Sequence, residues 1–185
     1  VSTVVDFPAP SSSLPPQVKP VIYFAGKISK HGWRDTLLGH RAGGVGEPDI
    51  WNPDFMLETP GFHYGGPFFI SCDHGCGHAR NAHGAECCEN PDLRKTQLLV
   101  WSLNRARLGQ ADVVFAYIDE VTCFGTMFEI GMATEMGKPI VIGFGPHLTS
   151  TQISDLWTLH IYADAVFFGD AAQTWAKARR HWGIP

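Results

Sequence analysis

Ala111-Asp112-Val113-Val114-Phe115-Ala116-Tyr117-Ile118-Asp119, followed after four residues by Phe124-Gly125-Thr126-Met127-Phe128-Glu129-Ile130-Gly131-Met132-Ala133, is the stretch that decides the fold. Val113 to Ile118 is apolar almost without a break, which reads as a strand buried on both faces, and the second run opens a helix near Gly125. Glu129 on that helix shares a face with Met132, Ala133 and Met136, at offsets of three, four and seven residues. A charged side chain on a core-facing stripe is costly without a purpose. The plainer reading is that the helix dipole favours an acidic residue in a first turn.

Working outward, Val21-Ile22-Tyr23-Phe24-Ala25 closed by Gly26 reads as a first buried strand, and Trp33 to His40 as a short helix. Asn90-Pro91 supplies a cap and a first helical residue. Leu93 to Leu108 then carries Leu99, Leu103 and Ala106 at helical offsets before Gly109 ends it. Downstream, Gly137-Lys138-Pro139 stops the Glu129 helix, Ile140 to Phe144 is a third strand, Ala165 to Phe168 another, and Asp170 to Trp182 a last helix with a basic end. Continuous apolar strands alternating with helices predict an α/β fold with a parallel sheet covered on both faces. Ligands of such sheets bind beyond the carboxyl ends of the strands, where Gly26 to Arg34, Asp119 to Glu129 and Gly143 to His147 are expected to converge.

Residues 1–20 form a Pro- and Ser-rich tail, and residues 21–185 are read as one domain. From about residue 43 to 90 the composition turns to Gly, Pro, His and aromatic residues, with Pro67 to Ser71 as the one expected strand. The 44% hydrophobic content is enough for a substantial single core, and the formal charge of −4 gives no footprint for a nucleic-acid polymer or a membrane surface. No apolar run approaches the roughly 20 residues of a membrane span, and no secretory leader is evident, so a cytoplasmic protein with a small polar ligand is expected. The cysteines are odd in number, five, which favours reduced thiols.

Cys72, Asp73, His74, Cys76, His78, His83, Cys87 and Cys88 have the residue types of a zinc site. Their spacings match no closed zinc motif, and a polar substrate-covering loop explains them as well, so no metal is expected. Lys27, Ser29, Lys30 and Arg34 suit a sugar hydroxyl or a phosphate, Arg34 through its planar fork, although the lysines also read as solvated surface. Gly125 and Thr126 allow close backbone approach and helix capping. Tyr23, inside a strand, reads on its own as a core aromatic.

Taken in order, Ile22-Tyr23-Phe24-Ala25-Gly26-Lys27-Ile28, Ala111-Asp112-Val113-Val114, the block from Gly125 to Ala133 and Gly137-Lys138-Pro139 resemble the nucleoside 2-deoxyribosyltransferases and the related nucleotide N-glycosidases. The resemblance covers about residues 21–37 and 92–145. It implies a flavodoxin-like (Rossmann-like) fold, no cofactor, a nucleoside or nucleotide substrate and a homo-oligomer. It also implies that Glu129 attacks C1′ of the sugar, with Tyr23 positioning it, while Gly26, Lys27, Ser29, Arg34, Asn104, Asp119, Gly125 and Thr126 surround the substrate. Transfer of the sugar to another base and hydrolysis, including hydrolysis of a nucleoside 5′-monophosphate, share this first step. Two positions depart from the family pattern. Asn104 stands eight residues before Asp112 where an aspartate is usual, and Cys123 stands six residues before Glu129 where the transferases often have another. A neutral amide cannot shuttle a proton, so leaving-group protonation is expected from elsewhere, His74 and His78 among the candidates, or else the chain is a non-catalytic nucleotide-binding module.

Overall fold

Four of the apolar runs become strands with the predicted bounds, β1 (Val21–Gly26), β4 (Val113–Ile118), β5 (Ile140–Phe144) and β6 (Ala165–Phe168), and every residue of β4 and β5 is buried. They belong to a computed structural model that describes residues 19–28, 32–39, 52–68 and 93–185. Between β1 and β4 lie α1 (Trp33–Leu38), β2 (Leu57–Thr59), β3 (Phe62–Gly66) and α2 (Leu93–Gln110). After β4 come α3 (Phe124–Glu135), β5, α4 (Ser150–Asp155), α5 (Trp157–Tyr162), β6 (Ala165–Phe168) and α6 (Ala171–Trp182).

The six strands form one sheet in the order β2-β3-β1-β4-β5-β6, all neighbours parallel except the hairpin partners β2 and β3. Without the edge strand β2 this is the flavodoxin-like order, in which winding reverses between β1 and β4. The α/β expectation is thus met. Strand alternation sorts the core into two layers. Ile22 and Phe24 of β1 face one layer with Phe115, Trp175 and Trp182, where Phe24 meets the Trp175 ring edge-on at 4.8 Å. Tyr23 and Ala25 face the other, with Leu108 of α2, Ile130 and Ala133 of α3 and Leu159 of α5. Tyr23 and the Glu129 helix therefore share a side of the sheet.

Two aspartates pin the amino-terminal rim. Asp112 accepts the Val21 amide at 2.7 Å, and Asp164, just before β6, accepts the Ile140 amide at 2.7 Å. Each ties the start of one strand to the residue preceding its neighbour.

Several expectations need correction. The segment from 43 to 90 contains the β2–β3 hairpin, joined at Pro60-Gly61, where Gly61 has φ 92°, the positive value demanded at the third position of a type II turn. The expected strand at Pro67 to Ser71 is not one at Pro67 and Phe68, because β3 has already ended at Gly66; the rest of it lies outside the described residues. Gly109 does not stop α2, which runs to Gln110, and the buried stripe of that helix is Val100, Leu103, Arg107 and Leu108, with Leu99 exposed. On α3 the buried stripe is Thr126, Glu129, Ile130 and Ala133, displaced from the predicted one so that Met136 lies at the surface. The short helices α4 and α5 were not foreseen. No helix among the described residues is long and apolar enough to cross a membrane.

Candidate active site

α3 leaves the carboxyl end of β4 by a short turn, Asp119 to Cys123, and its first two turns carry Thr126 and Glu129 inward. Thr126 is 3% exposed and Glu129 8% exposed, both against the sheet. Tyr23 in the middle of β1 is fully buried, and its hydroxyl donates to Glu129 Oε1 at 2.5 Å, within the range of a hydrogen bond to a charged carboxylate. The Gly26 backbone lies close enough to this carboxylate to help hold its pKa down.

Burial dominates the electrostatics of the pair. Desolvation pushes Glu129 up from 4.5 to about 7, against the downward pull of the Tyr23 hydrogen bond, the Arg34 charge and the Gly26 backbone. Tyr23 rises well above its ordinary value, first through burial and then through the neighbouring Glu129, so it remains a phenol and a donor. A carboxylate near half-ionisation at neutral pH, oriented by a permanent donor, suits nucleophilic or general-base work.

Arg34 is 4% exposed and faces the backbone. Its Nε and Nη2 donate to the Phe24 carbonyl at 3.1 and 2.7 Å, Nη2 to the Gly26 carbonyl at 2.7 Å, and Nη1 to the Lys27 carbonyl at 2.9 Å. The fork expected to grip a ligand is engaged by the β1 turn. Gly26 itself admits no side chain, since a Cβ would lie 2.7 Å from the Trp33 ring and 2.8 Å from the Tyr117 carbonyl oxygen.

The predicted loops do meet at this edge. Lys27 pairs with Glu120 across the turns after β1 and β4, and the Gly145 amide donates to the Ile118 carbonyl at 2.8 Å, bringing the turn after β5 against Asp119. Asp119 has one carboxylate oxygen buried with no hydrogen-bond partner among the described residues. A Cβ at Gly125 would meet nothing within 4 Å, so the helix start is open there. Cys123 is buried, and burial pushes its thiol up to about 11, so the position six residues before Glu129 holds a neutral group. Asn104 is half-buried on α2, one turn before Arg107. Ser29, His74, His78 and the cysteines from Cys72 to Cys88 lie outside the described residues.

Two polar residues near the site escaped the sequence reading. Tyr64 of β3 is fully buried and donates to the Pro67 carbonyl. Arg107 is 1% exposed, with its guanidinium 4.7 Å from the centre of the Phe68 ring and Nη2 donating to the Asn52 carbonyl at 3.1 Å. The available signal was the offset of Arg107, four residues after Leu103 on the buried stripe.

No family model matches the chain, and no curated protein matches it in sequence.

Proposed function

We propose that this chain is a nucleoside 2-deoxyribosyltransferase-like enzyme that cleaves the N-glycosidic bond of a nucleoside or nucleotide through Glu129. The single observation carrying the reading is the buried Tyr23–Glu129 pair at the switch point of the sheet. Glu129, ionised, attacks C1′ as the bond from C1′ to the base nitrogen breaks; the electron pair leaves with the base, which is protonated, and a glycosyl ester remains on Glu129. An incoming base then attacks C1′ from the opposite face, the ester bond breaks and the carboxylate is restored, with net retention as in double-displacement glycosidases. Tyr23 keeps the non-attacking oxygen in place and tempers the charge that forms and vanishes on the carboxylate.

Water in place of the second base gives the hydrolase, including one acting on nucleoside 5′-monophosphates. Lys27, paired with Glu120 across the turns after β1 and β4, is a cation on that edge of the sheet that a 5′-phosphate could meet. The neutral groups at Asn104 and Cys123 leave proton donation to the base to another residue; their loss of acidity is what supports the non-catalytic module as the remaining alternative.

A homo-oligomer is part of the proposal. A groove of about 650 Å³ between α2 and α3 is lined by Trp101, Phe128, Met132 and Met136, with Arg105 of α2 and Glu135 of α3 also in its lining. A surface holding both charges can meet its own copy about a two-fold axis. Sedimentation velocity reads this part, which a monomer at assay concentration would sink.

The test of the chemistry is trapping. A 2′-fluoro-substituted nucleoside is expected to add one sugar mass to the wild type and nothing to Glu129→Gln, as read by intact mass. A chain that binds nucleosides or nucleotides tightly yet forms no adduct and releases no base would be the non-catalytic module.

A further inference from the structure

β1 is longer than its neighbour on one side. β3 pairs Val21, Ile22 and Tyr23 and then ends at Gly66, opposite Tyr23. The Asp112 amide donates to the Val21 carbonyl, so Val21, Tyr23 and Ala25 turn their backbone groups toward β4, and Phe24 and Gly26 turn theirs toward the side that β3 has vacated. Buried carbonyls on an unpaired strand edge demand donors.

Arg34 supplies them. Four donor contacts from one guanidinium reach the carbonyls of Phe24, Gly26 and Lys27, and the same guanidinium lies 4.5 Å from the centre of the Trp33 ring, which in turn packs against Gly26. A buried arginine thus stands where a strand would have been. Gly26, on that same edge, is the backbone group that acts on the Glu129 carboxylate.

We propose that Arg34 is a positioning residue for the nucleophile: by holding the carbonyls of Phe24, Gly26 and Lys27 it presents the Gly26 amide to the Glu129 carboxylate, and its buried cation faces the same carboxylate. This deepens the reading of Glu129 as nucleophile and rests on it. Arg34 touches no reacting atom. Lysine would keep the charge, yet a point ammonium cannot reproduce a planar fork that spans three carbonyls. The other titratable groups that act on Glu129 among the described residues are Tyr23 from β1 and Tyr64 from β3; behind them, Asp35 on α1 faces Tyr64, and Arg107 on α2 faces both tyrosines.

The experiment follows the Glu129 side-chain carboxyl by ¹³C NMR and the Gly26 amide by ¹H–¹⁵N NMR over roughly pH 4 to 9, in the wild type, Arg34→Lys and Arg34→Gln, with no ligand added. In the wild type the Gly26 amide is expected to shift with the same midpoint as the Glu129 carboxyl. Arg34→Gln is expected to raise that midpoint by about one pH unit, since a nearby cation favours the carboxylate. In Arg34→Lys the midpoint moves less, but the Gly26 amide no longer follows it. A wild-type Gly26 amide blind to the Glu129 titration overturns the proposal without any variant having to fold. So does a folded Arg34→Gln with an unmoved midpoint, or a folded Arg34→Lys whose Gly26 amide tracks as before. Because no turnover is needed, these outcomes are separate from the trapping result that decides whether Glu129 is a nucleophile at all.

Discussion

Two glutamates stand nine residues apart on either side of the α3 start, and the fold treats them in opposite ways. Glu129 is buried, meets a neutral phenol and is pushed up to about 7. Glu120 is half-buried, takes the Thr122 hydroxyl and the Lys27 ammonium, and is held below the usual range, first by the Lys27 hydrogen bond. The same functional group is pushed up in one place and held down in the other. What separates them is which neighbour the sheet provides: a donor that cannot lose its proton, or a cation that solvent can replace.

The comparison can be broken most decisively at Glu129. Glu129→Gln is expected to lower turnover of 2′-deoxynucleosides by roughly 10³-fold or more, read as base release, while leaving the Tyr23 donor an oxygen to meet. Wild-type-like base release from that variant would remove Glu129 from the chemistry.

The same substitution should stabilise the protein, and only at higher pH. The folded pKa of about 7 lies above the ordinary 4.5, so the folded state holds its proton longer and stability is lost as pH rises through that window. The loss is on the order of 3 kcal/mol above pH 7, equivalent to about 6 to 12 °C in Tm for a chain of this size. Glu129→Gln should recover it at pH 8 and gain nothing at pH 4.5. Thermal melts at the two pH values check this, and an equal effect at both would mean the carboxylate is not the source.

Tyr23→Phe tests the partner. It removes the hydrogen bond that favours the charged form, so the acidic limb of the kcat/KM profile should move to higher pH, and turnover should fall by roughly 10- to 100-fold. An unchanged limb with normal turnover would make Tyr23 a packing residue. At the other end of the scale, Lys27→Met should change stability by less than about 1 kcal/mol and less still in high salt, as read by urea denaturation. A large loss there would erase the contrast between the two glutamates.

How much of this was legible in the sequence depended on how local the signal was. Val113 to Ile118 and Ile140 to Phe144 are apolar in succession because both faces are covered, so their bounds could be read directly. Leu57-Glu58-Thr59 and Phe62-His63-Tyr64 do alternate, in burial as in polarity, but strands of three and five residues offer too few periods to stand out from a Gly- and Pro-rich stretch. The Tyr23–Glu129 pair was reachable through the resemblance, whereas the patterning alone left Tyr23 a core aromatic. Arg34 was read as a ligand fork because nothing local reveals that β3 stops opposite Tyr23 and leaves carbonyls without a strand. The role of a buried cation is set by what the tertiary fold fails to pair.

Asp112 sits at the rim opposite the carboxyl ends of the strands, holding the Val21 amide two residues before Tyr23. In mechanical terms it is the zero mark of a ruler: it sets how far along the sheet the phenol projects before it meets α3. A slip of one residue there would turn Tyr23 to the wrong layer, and a partial slide would alter its reach to Glu129 without touching either residue. Retuning the Glu129 carboxylate in this scaffold can therefore begin from the opposite rim of the sheet.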